Sequence, residues 1–170
     1  MVKQDSEILD YSDSEDVEGS SLSRDRIPIR SMEEGDLPAI VRIDRKVTGR
    51  DRTTYYERKF KEVMGESGVR VSLVAEVDAI PAGFIMARVD FGEFGKTEPA
   101  AVIDTIGVDP IQSKKGVGQA LLSQLLINLS ALRIETVRTI VPWDNFQLLN
   151  FLKKKGFAPS QRLLLTKPVI

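Results

Sequence analysis

The stretch from residue 100 to residue 141 limits the fold more than any other part of the chain. It opens with a long, mostly apolar run, AAVIDTIGV, which breaks at Asp109-Pro110. A polar, basic loop follows and leads into residues 116–132. There Val117, Leu121, Leu125, Leu129 and Leu132 repeat at helical spacing. Residues 136–141 are rich in β-branched side chains and read as another strand. A strand, a crossover helix and a second strand in the same sheet make that strand pair parallel.

The residues before this unit behave differently. Residues 71–77 and 83–91 each read as strands, the second with Arg88 and Asp90 alternating against Ala87, Val89 and Phe91. Turns at Asp78-Ala79-Ile80-Pro81 and a loop over 92–96 join them to residue 100. Three such runs form an antiparallel meander. Upstream, residues 27–30 form a short strand. A helix opens at Asp36, with Pro38 in its first turn. Leu37, Ile40, Val41 and Ile43 give its apolar side, and Gly49 stops it. A second helix covers 54–64, after the charged loop Thr48-Gly49-Arg50-Asp51-Arg52, and 65–68 turn the chain. Downstream, Asp144-Asn145 caps a helix through Lys155, with Phe146, Leu149 and Leu152 as its apolar stripe and Gly156 as its stop. Residues 162–166 read as a last strand. The order is β-α-α-β-β-β-α-β-α-β, with no internal repeat. This is an α+β chain with a mixed, mostly antiparallel sheet of six to seven strands and about four flanking helices.

Residues 1–25 are rich in Asp, Glu and Ser and poor in large apolar side chains. They read as a disordered acidic tail ahead of a single domain over 26–170. No apolar signal segment or bilayer-length apolar run is evident, which makes a cytoplasmic protein the expectation. A formal net charge of -1 gives no global pull toward nucleic acid or an acidic membrane.

The chain has no cysteine and no histidine. A Cys nucleophile, a Ser-His-Asp triad and a His/Cys zinc site are therefore excluded. No metal is expected. Any chemistry must use carboxylates, hydroxyls, amides, backbone groups or a bound cosubstrate.

The turn that starts the 116–132 helix offers such a binding place. Ser113-Lys114-Lys115-Gly116-Val117-Gly118-Gln119-Ala120 puts two glycines and two lysines at a helix N-terminus. Unpaired N–H groups and the helix dipole favour an anion there, and the lysines add charge. Phosphate or pyrophosphate is the indicated ligand. The alternative is that Gly116 and Gly118 only relieve crowding against the sheet. Neither the P-loop pattern nor the third glycine of the dinucleotide fingerprint is present, and Leu121 stands in that glycine's place.

A strand, Val-Asp-Pro, a basic loop, Gly-Val-Gly and a Leu-rich helix together resemble motif A of the GNAT acetyltransferases. That pattern is Gln/Arg-x-x-Gly-x-Gly/Ala. Gly116 and Gly118 match it, while Ser113 stands where Gln or Arg is usual and Gln112 lies one residue early. The stretch from Trp143 to Phe157 is similar to motif B, with Asn145, Phe151, Gly156 and Phe157 at matching positions. The opening strand and helix also look like the family's. The resemblance covers about residues 27–167.

The resemblance implies an N-acetyltransferase that uses acetyl-CoA and an amine-bearing acceptor of unknown identity. It implies a sheet splayed between the fourth and fifth strands, with the pantetheine arm along Ile106, Gly107 and Val108. The pyrophosphate would lie on the N–H groups of Lys115 to Ala120, and Asn145 would touch the cofactor arm or an ordered water. Direct attack of a neutral amine on the thioester needs no enzyme nucleophile. A base is needed. Asp104, a carboxylate inside an apolar strand, is the first candidate; the alternative is a strand residue on the sheet's solvent face or a partner for a nearby arginine. Glu76 and Asp90 are weaker candidates. Leu152 occupies the position where the family often has a tyrosine acid, so water, Tyr55, Tyr56 or no acid at all would serve. That departure also keeps open a catalytically silent acyl-CoA-binding module. Family members often pair through sheet edges or C-terminal strands, so a homodimer is an expected option.

Overall fold

In a computed structural model, the protein is described over residues 26–65, 70–91 and 98–170. The acidic tail over 1–25, most of the 65–68 turn and the 92–96 loop lie outside the described residues. The chain forms two compact units, one ending at Arg138 and one beginning at Thr139.

The first unit is built on a sheet in the order β1-β2-β3-β4-β5. The strands are β1 (Ile29–Ser31), β2 (Leu73–Val77), β3 (Ile80–Asp90), β4 (Ala100–Val108) and β5 (Thr136–Thr139). β1 to β4 pair antiparallel in sequence. The crossover helix α3 (Val117–Ala131) carries the chain from β4 to its neighbour β5, which makes the sheet mixed. Helices α1 (Leu37–Thr48) and α2 (Thr53–Gly65) follow β1, and a 3-10 turn at Glu34–Asp36 leads into α1.

The two faces of the sheet are filled from the two sides. Ile40, Ile43, Tyr56 and Phe60 of α1 and α2 pack with Met32, Val74, Phe84 and Met86 in one cluster. On the other face, Val117, Ala120, Leu121, Leu122, Leu125 and Leu129 of α3 are buried. α3 comes very close to the sheet: a Cβ placed on Gly83 would lie 2.7 Å from Val117 Cγ1 and 3.1 Å from the Gly107 carbonyl oxygen. Glycine is the residue that permits this approach.

Asp36 precedes α1 as expected, and Pro38 lies in the first turn. Its carboxylate does not cap that helix. It receives Arg30 Nη1 at 2.8 Å and Nη2 at 2.7 Å, and the Glu33 N–H at 2.7 Å. Arg30 also reaches Glu76 at 2.7 Å, which ties β1 to β2.

The second unit carries α4 (Phe146–Lys154), which ends at a left-handed Gly156. The Asn145 side chain caps it by accepting the Leu148 N–H at 3.2 Å. Leu152 is buried, whereas Phe146 is largely exposed. The strand expected over 162–166 does not form, so the sheet has five strands among the described residues rather than six to seven. Leu163, Leu164 and Leu165 are 89%, 70% and 86% exposed. Three consecutive leucines show no in-out alternation, and pairing alternation is what selects one face of a strand for burial.

Candidate functional site

Two features of β4 and its exit define the site. The first is a bulge. Met86 of β3 lies opposite Thr105, and Ala87 lies opposite Ile103, so Asp104 is an extra residue in β4. Bulged strands bend and leave the extra residue out of the ladder. Here the bulge also brings two neighbouring side chains to the same face. Asp104 reaches Lys59 of α2, and Thr105 Oγ1 lies 3.5 Å from the hydroxyl of Tyr56, also on α2. Nothing in the residue pattern of AAVIDTIGV marks the bulge.

Asp104 is nearly buried, between Arg88 and Lys59. Its Oδ2 lies 3.3 Å from Arg88 Nε and 3.5 Å from Lys59 Nζ, yet it accepts no hydrogen bond from either. Pairing with an arginine, one of the two roles open from sequence, is present in the geometry; an acceptor oxygen without a donor is present as well. The two weaker carboxylates are tied elsewhere: Glu76 to Arg30, and Asp90 to Arg138 of β5 at 2.8 Å.

The second feature is the turn from β4 into α3. Ile106, Gly107 and Val108 finish the strand, with Gly107 beneath the Phe84 ring. Asp109 then fixes the loop. Its backbone N–H donates to the Ala82 carbonyl at 2.8 Å, and its Oδ1 accepts the Ile111 N–H at 3.1 Å. Its Oδ2 meets Lys46 Nζ of α1 at 2.9 Å. The Lys46 ammonium beside it holds the Asp109 carboxyl below its ordinary range. Sequence reading missed this tether, because Lys46 and Asp109 are far apart in the chain.

After a 3-10 turn at Pro110–Gln112, Ser113 is extended and exposed, Lys114 is left-handed at φ 62°, and Gly116 is left-handed at φ 85°. A lysine in that region costs about 1–2 kcal/mol, and such strain persists where the surroundings impose it. Lys115 Nζ bonds Gln112 Oε1 at 3.0 Å. Gly116 caps α3 without a side chain, and the Ala120 N–H is the first to find a helical carbonyl, that of Gly116, at 2.9 Å. The N–H groups ahead of it, through Gln119, are the free ends every helix start presents. Val117 and Ala120 turn their side chains into the core, while Gly118 and Gln119 are half-buried at the surface. The turn thus offers backbone donors, little side-chain bulk and nearby lysines.

Sequence reading missed a third group. Asp44 sits on the buried side of α1 at 4% exposure. Arg52 binds it through two nitrogens, Nε to Oδ2 at 2.9 Å and Nη2 to Oδ1. The fully buried Tyr56 donates its hydroxyl to Asp44 Oδ1 at 2.8 Å. Burial pushes the Tyr56 hydroxyl well above its ordinary pKa, and Tyr55 is pushed the same way by the same cause. The Arg52 guanidinium therefore reaches from the charged loop to the buried Asp44, while the Arg52 side chain itself stays 41% exposed. Asp51 stays at the surface, pairs with Arg45 at 2.8 Å and accepts the Thr53 N–H at 3.0 Å. The available clue was an aspartate beside Ile40 and Ile43, on the face that must be buried.

With this geometry in place, comparisons assign the chain. The family described as "Acetyltransferase (GNAT) family" matches residues 37–157. The chain belongs to the GNAT acetyltransferases, a family of enzymes. Solved structures with the same fold include a transcriptional regulator from Bacillus halodurans C-125, at 19% identity and TM-score 0.71, covering 83% of this chain and 99% of that one. Aminoglycoside N-acetyltransferase AAC(6')-Iy in complex with CoA is 15% identical with TM-score 0.71, covering 85% and 95%. Aminoglycoside 6'-N-acetyltransferase AAC(6')-IG from Acinetobacter haemolyticus is 17% identical with TM-score 0.70, covering 84% and 99%. No curated protein matches the sequence.

Proposed function

We propose that this chain transfers the acetyl group of acetyl-CoA directly to a primary amine on a protein, a peptide or a small molecule. The observation that carries the reading is the start of α3, where a left-handed Lys114 and Gly116 lead into free backbone N–H groups. That cradle fits a pyrophosphate, and the AAC(6')-Iy neighbour was solved with CoA. An amine acceptor is supported by the several neighbours that are aminoglycoside N-acetyltransferases, one of them solved with sisomicin.

In this reading, acetyl-CoA supplies an activated thioester carbonyl. Lys115, Gly116, Val117, Gly118, Gln119 and Ala120 hold the pyrophosphate through backbone N–H groups, with Ser113 and Lys114 at the rim. Ile106, Gly107 and Val108 line the thioester arm with backbone groups, and a β4 N–H polarises the carbonyl. Asn145 adds a contact to the arm beyond its capping role. Asp104 accepts one proton from the ammonium, directly or through water. The neutral amine then attacks, a C–N bond forms and the C–S bond breaks. The second amine proton passes through water to the departing thiolate. Water is the assigned acid because Leu152, at the family's tyrosine position, is buried, and the Tyr56 hydroxyl is committed to Asp44.

The test is calorimetric titration of acetyl-CoA and CoA into wild type and Gly118→Trp. Micromolar binding by wild type, about -8 kcal/mol, that the variant loses is the expected result. An amine panel scored for acetylation follows it. Absence of binding to wild type overturns the reading.

A further inference from the structure

The Asp44–Arg52–Tyr56 group does no work in the transfer just described. All three residues belong to α1, α2 and their connection. A phenylalanine at position 56 and an apolar residue at position 44 would fill nearly the same volume with no buried carboxylate and no arginine to neutralise it. Taking a carboxylate out of water costs several kcal/mol unless it is well paired. The arrangement therefore needs a purpose beyond packing.

Its outward reach supplies one. The Tyr56 hydroxyl spends its hydrogen on Asp44 Oδ1 at 2.8 Å. Toward Thr105 Oγ1, 3.5 Å away, it is left as an acceptor, so the Thr105 hydroxyl is the donor. Thr105 follows the bulged Asp104 and precedes Ile106. At a bulge the ladder no longer dictates where the backbone lies. Thr105 is where pairing resumes, opposite Met86, directly after the unpaired Asp104, and a rigid hydroxyl, clamped from behind by Asp44 and Arg52, gives it a second fixed point there.

We infer that Tyr56 is a positioning residue for acyl transfer: held by Asp44 and Arg52, it fixes Thr105 and with it the β4 backbone that orients the thioester carbonyl. This role rests on the acetyltransferase reading above. It is separate from the pyrophosphate cradle, which lies beyond the end of β4. The two halves of donor binding then answer to different residues. Removing the hydroxyl changes orientation and leaves affinity alone.

The experiment compares wild type, Tyr56→Phe, Thr105→Val, Thr105→Ser and the Tyr56→Phe/Thr105→Val double variant. Acetylation kinetics, CoA titration, thermal midpoint and amide hydrogen exchange over 104–106 are read for each. Tyr56→Phe and Thr105→Val each lower kcat about tenfold, as displaced reacting groups do, while the CoA Kd stays within about twofold. The double variant loses no more than either single one, because both remove one link. Thr105→Ser, which keeps the hydroxyl, restores most of the rate. Exchange at Thr105 and Ile106 quickens in Tyr56→Phe. Unchanged kcat and exchange in Tyr56→Phe, with CoA binding intact, overturn the role. So do kcat losses that multiply in the double variant, or that merely track the thermal midpoint. No CoA binding by wild type removes the parent reading and this role together, a result that no variant is needed to see.

Discussion

Asp36 and Asp104 are both carboxylates near the sheet, and their surroundings give them different work. The Arg30 guanidinium, together with the Glu33 N–H, holds the Asp36 carboxyl below its ordinary value of 3.8, against burial that pushes it up. A carboxyl whose pKa is lower in the folded state stabilises that state when ionised. Its contribution is full above about 3.8 and drains away as pH falls through the folded value. Arg30→Ala is therefore expected to cost about 2 kcal/mol at neutral pH, and the difference from wild type should shrink below pH 3.8. Urea titrations at several pH values read this directly. Asp104→Asn should lower kcat by about 100-fold while the CoA Kd stays within about twofold, as single-turnover kinetics beside calorimetry will show. Residues acting through sequence-distant partners were the least legible. Asp104 could be singled out as a carboxylate in an apolar strand, but its Arg88 and Lys59 neighbours could not. Arg52 read as part of a wet, charged loop, because nothing local says that it reaches Asp44.

At the level of elements, apolar periodicity located α1, α3 and the meander well, and β4 was bounded at the residues observed. Those elements have one face committed to a core, which is the condition under which a pattern becomes readable. The bulge left no mark, since both sides of β4 near Asp104 are largely covered and alternation is weak there. The run at 162–166 shows the converse failure: apolar content without alternation suggested a strand that has no partner among the described residues. The contact of α3 with β3 at Gly83 is open to direct test. Gly83→Ala drives a methyl to 2.7 Å from Val117 and 3.2 Å from Leu121. Overpacking of this kind costs about 1–3 kcal/mol, visible as a lower urea midpoint at constant m-value. Because Val117 belongs to the first turn of α3, CoA affinity should weaken with it, whereas an ordinary core variant such as Ile40→Val should leave that affinity untouched.

Across the whole molecule, burial is uneven. The buried apolar side chains lie almost entirely before Arg138, and from Thr139 onward Leu152 alone is buried among the described residues. Opening free energy follows buried contact. Amides of α4 should exchange about 100-fold faster than those of β3 and α3, measured by hydrogen exchange at constant pH. Equal rates would mean that residues 139–170 unfold together with the first unit. None of the described helices is long and apolar enough to cross a membrane.

The extra residue at Asp104 also changes how mutations in β4 should be grouped. Ahead of it, the side chains turned toward α2 sit at even positions: Val102, opposite Arg88, and Asp104 itself. Behind it the odd positions face that way, Thr105 with its hydroxyl near Tyr56 and Gly107, where a Cβ would run into the Phe84 ring. A saturation scan binned by simple odd-even parity would blend two environments and show no period at all. Scored in two halves that change phase at Asp104, the same data should show a sharp period of two. Deleting Asp104 should join Ile103 directly to Thr105 in regular alternation, so that every remaining side chain of β4 keeps its face and one period of two runs through the whole strand.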